Sequence, residues 1–344
     1  MKRFFSWGIG LATCLLLAAC GGGGGGSAGI TPNPQTYTSS ASAGELISYT
    51  IDRNSLTYSY TITKSSYGCE LPSAPCHSGS GSLIKNSDGT YSPSTSPSSK
   101  IHVLENGLLF GTVTLSINGA NRTVPILGVQ NPATAVADLA GTYNFISLQC
   151  GGRTYGIFTG CSTYQGTVKV NSDGSYSTCE GGNLSANTPN CITTTSGRAT
   201  SLGSGVFSLQ ATLPSVGSAT NYMVAFRAPN GQKVGFLDFN DSIRYGYGQA
   251  IISNVVDITP ADVAGTYIAS DDYGGTGTVT VNANLTTSFG ETITYNQPWA
   301  GISTISSNTY GDGYSILAGN GVYVYRNPNI PNRSAYYQIG LRLN

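Results

Sequence analysis

The sequence predicts an all-β protein made of tandem, related antiparallel units, each either a β-barrel or a β-sandwich. Apolar and polar residues alternate with a period of two, as at Leu56, Tyr58 and Tyr60, which is the pattern of a strand with one buried face. Turn sequences of the Asn-Ser-Asp-Gly type, at 86–89 and 171–174, separate the alternating runs and are typical of hairpins. Short strands that recur in this way favour barrels or sandwiches.

Internal repeats indicate that the units are related. Residues 81–91 match residues 166–176 without a gap. The same alignment places Thr57-Tyr58 on Thr142-Tyr143 and Cys76 on Cys161. Because several matches share one register, we interpret the two stretches as copies of one structural unit.

A second similarity defines a third unit. Asp-Leu-Ala-Gly-Thr-Tyr at 138–143 corresponds to Asp-Val-Ala-Gly-Thr-Tyr at 262–267. A single helical turn is expected before each, at 133–139 and 260–263, and no sustained helical period occurs elsewhere after the first residues. A unit that begins with a helical turn followed by Gly-Thr-Tyr resembles small calycin-like barrels in its sequence pattern. We draw no functional conclusion from this resemblance. The predicted units are 44–131, 136–254 and 260–344.

The N-terminal residues predict export. Met1 to Arg3 form a basic start, and the apolar run 4–19 is shorter than the about 20 residues that span a bilayer. The sequence Leu17-Ala18-Ala19-Cys20 resembles the lipobox of bacterial lipoproteins. The resemblance implies that residues 1–19 are a cleaved signal peptide and that Cys20 is lipidated. Cys14 is rejected because three leucines follow it.

Acylation of Cys20 makes the lipid bilayer the first expected partner. In enterobacterial lipoproteins a residue other than Asp after the cysteine favours the outer membrane, and Gly21 stands there in this chain. Whether the body faces the cell surface or the periplasm is left open. Residues 20–43, rich in Gly, Ser, Thr and Pro, are predicted to be a flexible tether.

The composition argues against a nucleic-acid-binding protein and against an intrinsically disordered chain. Lys and Arg number 16, Asp and Glu also number 16, and 9% of residues are charged, so no basic surface predicts a nucleic-acid partner. Intrinsic disorder requires high net charge and few aromatic residues, whereas this chain contains 22 tyrosines. Such a composition is typical of secreted β-proteins with Ser, Thr, Asn and Tyr on their polar faces.

The cysteines predict cross-links. Beyond Cys20 the chain has an even number, which in an exported protein indicates disulfides. None has the Cys-x-x-Cys spacing of a zinc or redox site. Spacing favours three local bridges, although sequence alone leaves the pairing open. The expected pairs are Cys69–Cys76, Cys150–Cys161 and Cys179–Cys191.

No motif for nucleophilic catalysis, metal binding or phosphate binding is present, so no catalytic residue, metal ligand or cofactor is predicted. Glycoside hydrolysis needs only two carboxylates, which leaves an enzyme as the third hypothesis. Aspartates more often serve turns. The carboxylates available for such chemistry are Asp238, Asp241, Asp271, Asp272 and Glu291.

Tyrosines supply the candidate binding surface. If Val322 and Val324 face the core, Tyr323 and Tyr325 are expected to face outward, where rigid aromatic rings suit recognition. Tyr245 and Tyr247 form a second candidate stripe. The alternative is that these rings pack across strands, since tyrosine is a good strand residue.

The leading functional hypothesis is an outer-membrane lipoprotein that acts as a non-catalytic binding or interaction protein, in adhesion or ligand capture. Its partner would be an unknown protein or glycan. The second hypothesis is a periplasm-facing protein that serves envelope assembly or inhibits a hydrolase, with the cysteine-closed loop 150–161 as the inhibitory element.

Overall fold

The computed structural model describes residues 33–65, 78–97, 99–117, 120–154, 157–186, 190–213, 217–228, 231–240, 247–272, 274–319, 321–330 and 335–343. These residues are almost entirely β-strands, which confirms the all-β prediction. The predicted signal peptide and Cys20 lie outside the described residues. Within the described part, no helix has the length and apolar character needed to cross a membrane.

The first unit is a closed antiparallel barrel, here called barrel 1. It closes between its first and last strands, where Thr38 pairs with Val129. Its first strand lies inside the segment predicted to be a tether, so that prediction is wrong from Gln35 onward. The strands are β1 (Gln35–Ala41), β2 (Glu45–Asp52), β3 (Thr57–Ser65), β4 (Ser78–Lys85), β5 (Tyr91–Pro93), β6 (Ile101–Val103), β7 (Leu108–Ile117) and β8 (Ala120–Val129).

The second unit, barrel 2, is also a closed antiparallel barrel. A 3-10 turn at Val136–Leu139 precedes it, and the barrel closes where Ile251 pairs with Ile146. Its strands are β9 (Gly141–Thr154), β10 (Ile157–Val170), β11 (Ser175–Glu180), β12 (Thr193–Gly203), β13 (Val206–Leu213), β14 (Gly217–Arg227), β15 (Lys233–Phe239) and β16 (Tyr247–Asn254).

The third unit, sheet 3, is a seven-stranded antiparallel sheet that follows helix α1 (Pro260–Val263). Its two edge strands, β18 and β19, are linked by residues 285–288, because Val281 bridges Thr287 and Thr286 bridges Thr292. The strands are β17 (Gly265–Asp271), β18 (Thr276–Val281), β19 (Thr292–Thr294), β20 (Ser303–Ser307), β21 (Gly311–Leu317), β22 (Val322–Arg326) and β23 (Tyr337–Arg342).

The repeated Asp-x-Ala-Gly-Thr-Tyr sequence has one structure in both of its copies. Each helical turn is followed by a strand whose tyrosine reaches back to the turn. The Tyr143 hydroxyl donates to the Leu139 carbonyl at 2.7 Å, and the Tyr267 hydroxyl donates to the Val263 carbonyl at 2.6 Å. These bonds satisfy carbonyls that the end of a helical turn leaves unpaired. The expected helical turns are confirmed.

A second repeated turn occurs in all three units. In the first two copies a glycine follows an aspartate and has a positive φ, 81° at Gly89 and 87° at Gly174. In the third copy Leu285 follows an asparagine and has a φ of 67°. In each copy a side-chain oxygen accepts a hydrogen bond from the hydroxyl two residues later, a common way to stabilise such turns. These bonds are Thr90 to Asp88 (2.6 Å), Ser175 to Asp173 (2.7 Å) and Thr286 to Asn284 (2.7 Å).

The matched turns occupy different positions in the two barrels. In barrel 1 the turn joins the fourth strand, β4, to β5, whereas in barrel 2 it joins the second strand, β10, to β11. Barrel 1 therefore starts two strands earlier around the ring, and its β3 corresponds to β9. This explains why the repeat alignment places Thr57, at the start of β3, on Thr142 in β9.

The strands bury side chains on two sides. Each unit has its own interior cluster, and a fourth cluster joins side chains from the outer faces of all three. In β16, for example, Ala250 and Ile252 belong to the interior of barrel 2, while Ile251 belongs to the shared cluster. Such strands lose the alternation of buried and exposed residues, because water reaches neither face.

Candidate functional site

The tyrosines predicted to form a binding surface in sheet 3 are buried. Tyr323 is 3% exposed and Tyr325 is 6% exposed, so the expectation that they face outward is wrong. Val322 and Val324 do face a core, but it is the cluster shared between the units, and the tyrosines fill the interior of sheet 3 instead. The sequence showed the correct alternation and could not show that both faces of β22 are covered.

The interior tyrosines of sheet 3 form a packed, hydrogen-bonded set. The rings of Tyr267 and Tyr323 lie 5.6 Å apart between centroids. The Tyr323 hydroxyl donates to Gln338 Oε1 at 3.0 Å, and Asn327 Nδ2 donates to the Tyr325 hydroxyl at 2.9 Å. These contacts are those expected of tyrosines in a core, where the hydroxyl needs a partner.

In the second candidate stripe, the described tyrosine is buried. Tyr247 is 1% exposed and packs in the shared cluster. Tyr245 lies outside the described residues.

The candidate catalytic carboxylates have structural partners. Asp271 Oδ1 accepts a hydrogen bond from the Gly275 amide at 2.7 Å, and Asp272 Oδ1 accepts one from the Tyr337 amide at 3.1 Å. Glu291 Oε2 accepts a hydrogen bond from the Thr287 hydroxyl at 3.0 Å. Asp241 lies outside the described residues.

Asp238 lies between the barrels. It is fully buried on the outer face of β15, and Ser40 of barrel 1 donates a hydrogen bond to its Oδ2 at 2.6 Å. Beside it, Gln249 Nε2 donates to the Ser40 carbonyl at 2.7 Å. Burial raises the pKa of Asp238 to about 7, against the opposing effect of the Ser40 hydrogen bond.

Two of the three predicted disulfides are present. Cys150 pairs with Cys161 across the β9–β10 hairpin, and Cys179 pairs with Cys191 across the β11–β12 connection. Cys69 and Cys76 lie outside the described residues. Both observed bridges lie towards the same end of barrel 2, because the β9–β10 and β11–β12 connections occur at that end of an antiparallel ring.

The disulfide end of barrel 2 contains a cavity of about 160 Å³. The strands place alternate side chains inward, so residues two apart on β11, β12, β13 and β15, and four apart on β9, line it together. The lining residues are Phe145, Gln149, Tyr176, Thr178, Glu180, Thr193, Thr195, Leu209, Ala211, Asn221, Leu237 and Phe239.

The lining has an apolar part and a polar part. Along β11, Tyr176 is followed by Thr178 and then Glu180 towards the disulfide end, and along β9 Phe145 precedes Gln149. The two parts are interleaved, because Phe145 and Glu180 both pair with Gly166 across the strands. This combination is typical of small-molecule sites.

Several polar atoms in this region lack protein partners. Asn221 Oδ1 is buried in the cavity wall and makes no hydrogen bond to any described residue. Ser147, between Phe145 and Gln149 on the inward face of β9, is fully buried, and its Oγ likewise has no partner among the described residues. Buried polar groups normally have a partner, so these atoms indicate room for a polar ligand or water.

Glu180 is the charged group of the cavity wall. Burial raises its pKa, and the positive charge of Arg326 on β22 opposes that rise. The Arg326 guanidinium hydrogen-bonds to Gln165 on β10 and lies over the ring of Tyr314 at 5.6 Å. Arg326 thus connects sheet 3 to the outside of barrel 2, close enough to influence the site.

The sequence could have suggested this region only in part. The cysteine spacing located both bridges correctly, and they flank Glu180 and Thr193. However, the inward direction of Glu180 depends on strand register, and nothing in the sequence indicated that barrel 2 contains a cavity. Among the described residues, no group of three or more His, Cys, Asp or Glu is placed to hold a metal ion.

The fold and the cavity define an all-β protein with two closed barrels and a third sheet. No family model matches the sequence, and no curated protein matches it. One solved structure with some similarity is a protein of unknown function from the DUF3598 family of Nostoc punctiforme. It is 14% identical, with 64% of this chain and 94% of that chain covered and a TM-score of 0.25. At that TM-score the similarity supports no conclusion about this chain.

Proposed function

We propose that this chain is a non-catalytic binding protein that captures a small molecule in the cavity of barrel 2. The observation that carries the proposal is the cavity itself, whose wall combines aromatic and aliphatic side chains with hydroxyl, amide and carboxyl groups. The interior of sheet 3, in contrast, is occupied by hydrogen-bonded tyrosines. The earlier expectation of binding through exposed tyrosines is replaced by binding inside a barrel.

The two disulfides support this assignment. Cys179 and Cys191 flank Glu180 and Thr193, which pair directly across β11 and β12, and Cys150 follows Gln149. Cross-links beside lining residues hold the wall in one arrangement before a ligand arrives. Binding then costs less conformational entropy than it would with mobile strands.

The cavity volume limits the ligand. An apolar cavity of about 150 Å³ holds benzene, and the cavity here is about 160 Å³. A single ring or a short branched chain fits, while a fatty acyl chain does not. For a probe of that size, affinity on the order of millimolar is expected from typical ligand efficiencies.

Filling the cavity tests the proposal. Ala211 is inward-facing and lines the cavity, so Ala211→Phe should occupy it and abolish binding of benzyl alcohol measured by ligand-observed NMR. Ser177→Phe adds the same ring on the exposed outer face of β11 and should leave binding unchanged. Equal binding by both variants and the wild type would contradict the proposal. If Ala211→Phe fails to fold, the smaller change Ala211→Leu should still weaken binding.

We further propose that the protein acts from the cell envelope, anchored at Cys20 and placed in the outer membrane. The Leu-Ala-Ala-Cys sequence supports this, and acyl chains hold proteins durably on bilayers. Labelling cells with an alkyne analogue of palmitate should mark the wild type and not Cys20→Ser. Label retained by Cys20→Ser would exclude that residue as the anchor, and a labelled Cys14→Ser variant provides the matched control.

A further inference from the structure

The polarity of the cavity narrows the class of ligand. We propose that the ligand is an organic cation, with an ammonium group held at Glu180 and a ring-sized apolar body in the cavity. This inference rests on the proposed capture of a small molecule in barrel 2.

Charge is the first argument. Glu180 is the one charged residue among those that line the cavity, so the wall is net negative. Of the described residues, Arg326 acts on Glu180 from outside the cavity, where it hydrogen-bonds to Gln165 and lies over the Tyr314 ring. Burial nevertheless raises the pKa of Glu180. A cationic ligand would stabilise the carboxylate from within the cavity.

Hydrogen-bonding capacity is the second argument. An ammonium has only donors, and the cavity wall offers acceptors for them. Glu180 pairs across the strands with Thr193, and both line the cavity. Asn221 adds a buried Oδ1 that has no partner among the described residues. An anionic ligand would gain no hydrogen bond from the ionised Glu180 carboxylate and would be repelled by its charge.

The aromatic residues of the wall supply the third argument. Phe145, Tyr176 and Phe239 all contribute rings to the cavity lining. Aromatic faces bind apolar bodies and also attract organic cations through the ring quadrupole. The volume of about 160 Å³ limits the body to roughly one ring, so benzylamine, protonated at neutral pH, is a suitable probe.

The test compares three probes of one size and different charge. Dissociation constants for benzylamine, benzyl alcohol and benzoate are measured at pH 7 by NMR titration of the wild type, Glu180→Gln and Glu291→Gln. Glu291 is a matched control, because it is also a partly buried carboxylate with a pKa raised by burial, but it belongs to sheet 3. We expect benzylamine to bind the wild type about tenfold more tightly than benzyl alcohol, as a charge-assisted hydrogen bond provides.

Glu180→Gln should weaken benzylamine binding about tenfold and so remove its preference over benzyl alcohol, while Glu291→Gln should behave as the wild type. Equal affinity of the wild type for the amine and the alcohol, or a preference that survives in Glu180→Gln, would overturn the cation assignment alone. If no probe binds at all, or if Ala211→Phe binds as the wild type does, the proposed function fails with it.

Discussion

Replacing Asp238 by asparagine should make the protein less sensitive to rising pH. Asp238 is fully buried between the two barrels, where Ser40 donates to one carboxylate oxygen. Its ionised form is poorly solvated there, so burial raises the pKa from 3.8 to about 7. Asparagine has nearly the same shape and cannot ionise.

The sign and size of the pH effect on stability follow from the linkage between proton binding and folding. The folded state binds the proton more tightly than the unfolded state, so the stabilisation is complete below pH 3.8 and is lost as the pH rises to about 7. At about 1.4 kcal/mol per pH unit, this interval corresponds to about 4 kcal/mol as an upper value. The stability of Asp238→Asn relative to the wild type should therefore rise by up to that amount between pH 4 and pH 8.

Urea unfolding at several pH values between 4 and 8 measures the difference. Asp257→Asn, at an exposed position, is the matched control for the loss of one carboxylate. A difference between Asp238→Asn and the wild type that stays constant with pH would refute the reasoning, because it would mean that Asp238 is ionised in the folded state throughout.

Three further predictions concern stability and are also tested by urea unfolding. Gly89→Ala should lower the free energy of unfolding by about 1 kcal/mol, because φ is 81° at that position. Gly277 lies in an ordinary strand and is equally free of contacts, so Gly277→Ala should not destabilise the protein. Equal effects of the two changes would exclude backbone strain as the cause. Cys179→Ser combined with Cys191→Ser opens a loop with a sequence separation of 12 and should cost about 3 kcal/mol; no loss would mean that the bridge is dispensable. Tyr323→Ser should cost about 3–5 kcal/mol, as expected for a truncated core aromatic residue, and an unchanged unfolding midpoint would show the ring to be outside the core.

The sequence was informative wherever a local pattern decides the structure. Alternation predicted the strands, the Asp-Gly positions predicted turns with positive φ, and short cysteine spacings predicted Cys150–Cys161 and Cys179–Cys191. The helical turn at Pro260–Val263 could also be predicted, since Thr259 and Asp262 provide a capping interaction: the Thr259 hydroxyl donates to Asp262 Oδ2 at 2.7 Å.

Long-range packing could not be predicted in the same way. The alternation in β22 separates Val322 and Val324 from Tyr323 and Tyr325, but it does not say which face meets water. Here neither does, because one face closes the interior of sheet 3 and the other contacts the remaining units. For the same reason Gln35–Ala41, polar enough to suggest a tether, forms a barrel strand.

The most direct test of the account is to locate bound benzylamine by methyl NMR. Leu209 and Leu237 line the cavity of barrel 2, while Leu109 lies in the interior of barrel 1 and serves as the internal control. Titration should shift the methyl signals of Leu209 and Leu237 with one common dissociation constant and leave Leu109 in place. Shifts confined to other residues, or none at saturating concentration, would contradict a ligand site in barrel 2.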